Sequence, residues 1–142
     1  MVEAAIILPV LFLFIFGIIV GGMLIMDYQR VAMLAREGAR YASVHGGQYA
    51  QENNLPAATD ATVRNLAILP RAAGLDAGSL QSSVTWTNPN KMPIHLSMPS
   101  TGPHEWRRND VTVIVVYAWK TPMSMIFPNI TLSSISVMPV TY

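Results

Sequence analysis

The chain has 142 residues, 51% of them hydrophobic, with a formal net charge of +1 and no cysteine. This balance excludes the basic stripe of a nucleic-acid partner, and the missing cysteines exclude a disulfide framework and thiolate metal sites. Setting aside the opening apolar run leaves about 115 residues, enough for one small domain and not two.

That run is an uncharged stretch of 23 residues, Ala4 to Met26, preceded by the lone acid Glu3. At about 1.5 Å rise per residue it covers roughly 34 Å, enough for a hydrocarbon core of about 30 Å. A secretory signal peptide has a shorter apolar centre, of about 7–15 residues, with basic residues before it and a cleavage site after it. Residues 1–26 therefore read as a retained transmembrane anchor, and residues 27–142 as the domain it holds at the membrane. Pro9 lacks an N–H and clashes with the carbonyl of Ala5, so a kink is expected there. Gly17 and Gly21 form a small-xxx-small pair, widened by Gly22, that lets another helix approach. The other reading is that glycine is simply frequent in membrane helices.

The helix is expected to continue past the membrane. From Asp27 to Val44 there is no proline, and Gly38 is the only glycine. Val31, Ala35, Gly38 and Ala42 recur at spacings of three and four, while Arg30, Glu37 and Arg40 lie off that line. The stripe is made of small residues, so whatever packs on it comes close to the backbone. Gly46-Gly47 is a natural stop. One helix from about Ala4 to His45 would be roughly 60 Å long, half in lipid and half the spine of a soluble domain.

Gln48 to Leu55 reads as a loop. A second helix is expected from Pro56 or Thr59 to Leu69, capped by Asn54 or Thr59, with Val63, Leu66, Ala67 and Pro70 facing inward and Gly74 as a stop. Ser82 to Thr87 alternates as a strand. Asn88 to Asn109 holds Pro89, Pro93, Pro99 and Pro103 and reads as a long irregular excursion, of a length that tends to be functional or mobile. Val111 to Lys120 is the strongest strand. Ile130 to Tyr142 is another, with Pro139 arguing for an edge or a bulge, and Thr121 to Asn129 joins the two. The sum is an α+β fold: a long N-terminal helix, a short second helix and a small, largely antiparallel sheet packed on the soluble half of the first helix.

No catalytic, cofactor or metal constellation emerges. His45, His95 and His104 are far apart and lack a metal-ligand spacing. His104-Glu105 beside Trp106-Arg107-Arg108 reads as a solvated loop patch, and Ser133, Ser134 and Ser136 as strand residues. Trp86, Tyr117 and Trp119 read as core or membrane-edge aromatics. Met123 and Met125 beside Ile126-Phe127 suit core filling or an adaptable contact surface.

The order of acid, apolar helix with Leu8-Pro9, Asp27-Tyr28-Gln29 and Ala35-Arg36-Glu37-Gly38-Ala39-Arg40-Tyr41-Ala42 resembles the TadE-like proteins of tight-adherence (Flp, type IVc) pilus systems. Val2-Glu3 matches the Val-Glu that precedes the helix in that family. The match covers roughly residues 2–45, and the final strands are compatible with it. The resemblance implies a minor pilin or pseudopilin that is processed by a prepilin peptidase, works with the Tad assembly machinery and contacts other pilin subunits or its own copies. It also implies that Glu3 pairs with the free amine of a neighbouring subunit. In such pilins the acid is the fifth residue of the mature chain; here it is third.

Two function classes follow. In the first, a structural subunit buries Gly17 and Gly21, and Ala35, Gly38 and Ala42, against other subunits. In the second, a stand-alone membrane-anchored module captures a ligand outside the cytoplasm with the 88–109 excursion. Topology carries a conflict: Arg30, Arg36 and Arg40 after the anchor place the domain in the cytoplasm by the positive-inside rule. The resemblance implies the opposite, a single pass through the inner membrane with the domain outside.

Overall fold

A computed structural model describes residues 2–97, 105–120 and 130–142. The first helix, α1, runs Val2–Val44 and continues through Pro9, close to the bounds expected for a fused anchor and spine. Its second half buries Val31, Leu34, Ala35, Gly38, Ala39, Ala42 and Ser43. These positions fall on one face of a 3.6-residue helix, and Leu34 and Ala39 make the buried stripe wider than the small-residue line alone. Arg36 and Arg40 stay exposed on the far side.

The stripe meets a three-stranded antiparallel sheet of order β1-β4-β5, formed by β1 (Leu80–Trp86), β4 (Asp110–Trp119) and β5 (Ile130–Pro139). Strict alternation along β4 turns Val111, Val113, Val115, Tyr117 and Trp119 inward, where each is at most 7% exposed. The register sets Val113 between Val84 and Ser136, and Tyr117 between Leu80 and Leu132. With β4 in the centre, β5 is an edge, which is where Pro139 is tolerated. The expected α+β architecture is therefore the observed one.

Small residues on α1 let the sheet in. A methyl added at Gly38 would lie 3.2 Å from both Ile68 and Val113. The end of β5 then closes on the end of α1. The amides of Thr141 and Tyr142 donate to the carbonyl of Ser43 at 2.9 and 3.2 Å, satisfying one of the orphan acceptors of the last helical turn.

Four local features differ from the sequence reading. Gly46 and Gly47 do end α1, but they serve close approach and not a left-handed cap, since among the described glycines only Gly74 has a positive φ. A Cβ on Gly46 would sit 2.5 Å from the Tyr142 carbonyl oxygen, and the Gly47 amide donates to Lys91 at 2.7 Å. Next, the expected loop 48–55 contains a helix, α2 (Gly47–Asn53), ended by Asn54 in the left-handed conformation (φ 52°). Asn54 is thus a C-cap, and the next helix is capped by Thr59, whose hydroxyl accepts from the Thr62 amide at 3.2 Å.

That helix, α3 (Asp60–Val63), widens into a π-helical stretch over Arg64–Ile68 and a tight turn over Leu69–Arg71. The wide turn brings Ile68 onto the face of Val63, so Ile68 is buried while Leu66 is 57% exposed and Pro70 is exposed, against expectation. Fourth, the excursion at 88–109 carries a short antiparallel hairpin, β2 (Ile94–Ser97) with β3 (Glu105–Arg108). Its Pro99, Pro103 and His104, like the 121–129 connection with Met123 and Met125, lie outside the described residues.

Fully buried Asn109 pins the base of this excursion. Its side chain accepts from the Asn88 amide at 2.7 Å and donates to the Asn88 carbonyl at 3.1 Å, while its own carbonyl takes the Val140 amide at 2.8 Å. Asn109→Ala leaves two part-buried backbone groups of Asn88 without these partners. It should cost about 2–3 kcal/mol in thermal unfolding of the detergent-solubilised chain, and a loss below about 0.5 kcal/mol would remove Asn109 as the pin.

Candidate interaction site

The first half of α1 is an uncovered apolar surface. Ile7, Leu13, Phe14 and Ile18 are each more than 60% exposed, and the apolar window, of mean hydropathy 2.8, is not buried against any part of the domain. A helix apolar on all sides with no fully buried residue in its apolar stretch is what a bilayer stabilises, and α1 is a candidate membrane anchor by length and composition. Gly17 and Gly21 lie on this surface, and a Cβ at either would meet nothing within 4 Å. Their backbone is open to a second helix. Glu3 lies in the first turn of α1, and its side chain is outside the described residues.

Ala35, Gly38 and Ala42 are placed differently. All three are buried against the chain's own sheet and short helices, so their small size serves intramolecular packing and they offer no surface to a partner. Sequence spacing had marked a close-approach stripe correctly, but spacing alone does not say whether the approaching element belongs to the same chain.

The folded core begins before the apolar run ends, because Val20 and Leu24 already pack on it. Just beyond, Asp27 is the first charged residue after the run. One carboxylate oxygen accepts from the Trp119 indole N–H at 3.0 Å, and the other takes the Arg30 guanidinium at 3.1 Å. Trp119 closes the inward row of β4, so this hydrogen bond ties the membrane end of the helix to the end of the central strand. Sequence reasoning placed Trp119 at the core or the membrane edge but did not find its partner, which is 92 positions away.

A cavity of about 380 Å³ opens at this junction. Met23 and Met26 form its apolar wall; Asp27, Arg30 and Gly74 form a second, and Tyr117, Trp119 and Lys120 a third. Gly74, at φ 84°, makes room for Arg30, since a Cβ there would lie 2.9 Å from the guanidinium nitrogen. Lys120 pairs with Asp76 at 3.1 Å. The Asp76 carboxyl is held below its ordinary range by the Ser79 hydroxyl, then by the Gly78 amide and by Lys120. The Asp76 amide, in turn, reaches the Tyr117 hydroxyl at 3.5 Å.

At the opposite end of the domain, Tyr41 stacks on His45 with centroids 4.0 Å apart, and His45 meets Tyr49 edge-on at 4.6 Å. Burial, and then neighbouring Tyr49, push the Tyr41 phenol upward. These rings border a smaller cavity of about 200 Å³. Neither cavity is lined by a described residue of the 88–109 excursion. No group of three or more metal-ligating side chains occurs among the described residues.

Residues 1–40 match the family model described as TadE-like protein. The matched stretch contains the bare helix, Gly17, Gly21 and Asp27, and most of the spine. No curated protein and no solved structure matches the chain.

The junction gives a direct test. Asp27→Ala strips the Trp119 indole and Arg30 of their shared acceptor and should lower stability by about 1–3 kcal/mol, read as a fall in thermal midpoint. Asp27→Asn keeps an oxygen for the indole and should lose less. Equal losses in the two variants would mean that the Trp119 hydrogen bond contributes nothing.

Proposed function

We propose that the chain is a pilin-like structural subunit of the TadE type, anchored in the inner membrane by α1 with its α+β domain on the outer side, and that it serves assembly of a tight-adherence pilus. The observation that carries this reading is the uncovered apolar half of α1, which presents the Gly17–Gly21 surface within the stretch matched by the TadE-like family model. A subunit of this kind meets lipid before assembly and other helices after it. An all-round apolar helix with a small-residue patch is suited to both surroundings. The partners are accordingly lipid, other pilin subunits or copies of this chain, with a prepilin peptidase and the Tad assembly machinery acting on it.

Glu3 has a specific part in this reading. A carboxylate at the margin of an apolar helix is costly unless it is solvated or paired. The amine at the processed N-terminus of a neighbouring subunit supplies the pair. Because breaking one side of a desolvated ion pair costs several kcal/mol, Glu3→Gln should leave membrane insertion intact and sharply reduce recovery of the protein with other pilins. Normal assembly by that variant would remove the pairing role. Gly17→Leu and Gly21→Leu suit lipid equally well but block close backbone approach. In native membranes they should weaken cross-linking to partner subunits, and unchanged cross-linking in both would make these glycines incidental.

A further inference from the structure

We propose that the junction cavity binds the headgroup of a zwitterionic phospholipid that carries a phosphate and a primary ammonium. The cavity lies where such a headgroup sits. Its apolar wall, Met23 and Met26, belongs to the last turns of the uncharged run, and its polar wall begins at the next residue, Asp27. From Met23 to Arg30 the helix rises about 10 Å, the distance from acyl chain to headgroup level. A soluble phosphate would use only the polar wall.

The charges select the headgroup class. Arg30 is paired with Asp27 and Lys120 with Asp76, each at 3.1 Å, so these two cations and two carboxylates sum to zero. Both cations keep donors for a phosphate: the Arg30 side chain is 42% exposed and that of Lys120 76%. The Asp27 carboxylate, which lines the cavity with 18% of its side chain exposed, suits an ammonium group. A purely anionic headgroup would bring an uncompensated negative charge beside two carboxylates. The left-handed turn at Gly74 keeps the guanidinium against the cavity, where any larger residue would displace it.

This inference rests on the anchor reading and not on the pilus role. The test is native mass spectrometry of the delipidated full-length chain in detergent, titrated with phosphatidylethanolamine, phosphatidylglycerol or soluble glycerophosphoethanolamine. Phosphatidylethanolamine adducts should dominate, and Lys120→Gln and Arg30→Gln should each weaken them about three- to tenfold. Lys120→Gln removes only an exposed pair, so it should retain the parent thermal midpoint, which separates lost binding from lost folding. Equal retention of the two lipids, adducts indifferent to both substitutions, or equal binding of the soluble headgroup would each overturn the proposal. If lipid adducts fail while the chain stays in carbonate-washed membranes, the anchor and the proposed function stand without the headgroup site. If the chain is also washed off, the anchor reading fails with it.

Discussion

The structure depends on one helix that satisfies two different surroundings without a break. In its first half α1 is apolar on every side, and its backbone bonds are internal, which is the condition for crossing hydrocarbon. In its second half the same helix must be apolar on one face only. Val31, Leu34, Ala35, Gly38, Ala39 and Ala42 supply that face, while Arg36 and Arg40 supply the other. The sheet sits directly on the small residues, with Val113 and Ile68 filling the space that a side chain at Gly38 would take. Small residues therefore do opposite things in the two halves: Gly17 and Gly21 leave the backbone open, whereas Ala35, Gly38 and Ala42 are consumed by the fold.

Between the halves, the domain is fastened to the helix and not merely hung from it. Val20 and Leu24 join the core from within the apolar run, and Asp27 ties Trp119 and Arg30 at the boundary. At the other end, Thr141 and Tyr142 bond to Ser43, and Gly46 and Gly47 admit the backbones of Tyr142 and Lys91. The spine is thus clamped at both ends.

What the residues revealed in advance follows from how local each signal is. The long apolar helix and its continuation are written in composition and periodicity, as are the strands read at Val111 to Lys120 and Ile130 to Tyr142, which the structure places at Asp110–Trp119 and Ile130–Pro139. The short helix Gly47–Asn53 was hidden by its polar composition, and the hairpin at Ile94–Ser97 by the prolines around it. The π-helical stretch shifted the buried position from Leu66 to Ile68, a change of period that no fixed 3.6-residue template anticipates. The site was legible in the same uneven way. Gly17 and Gly21 fell where a bare helix surface was expected, but the partners of Asn109 and Trp119 are set by long-range pairing. Those pairings span 21 and 92 positions, beyond the reach of spacing arguments.

The proposed function requires that α1 pass from lipid into an extracytoplasmic domain without interruption. Because the chain has no cysteine, single introduced thiols report position without background. Variants Ile19→Cys, Met33→Cys and Arg40→Cys, made one at a time, would be exposed to a membrane-impermeant maleimide in intact spheroplasts. The account requires that the thiols at positions 33 and 40 react from outside, while the thiol at 19 stays protected until detergent is added. Reaction at 33 and 40 only after the membrane is opened would reverse the topology, and rapid reaction at 19 in intact spheroplasts would contradict the anchor itself.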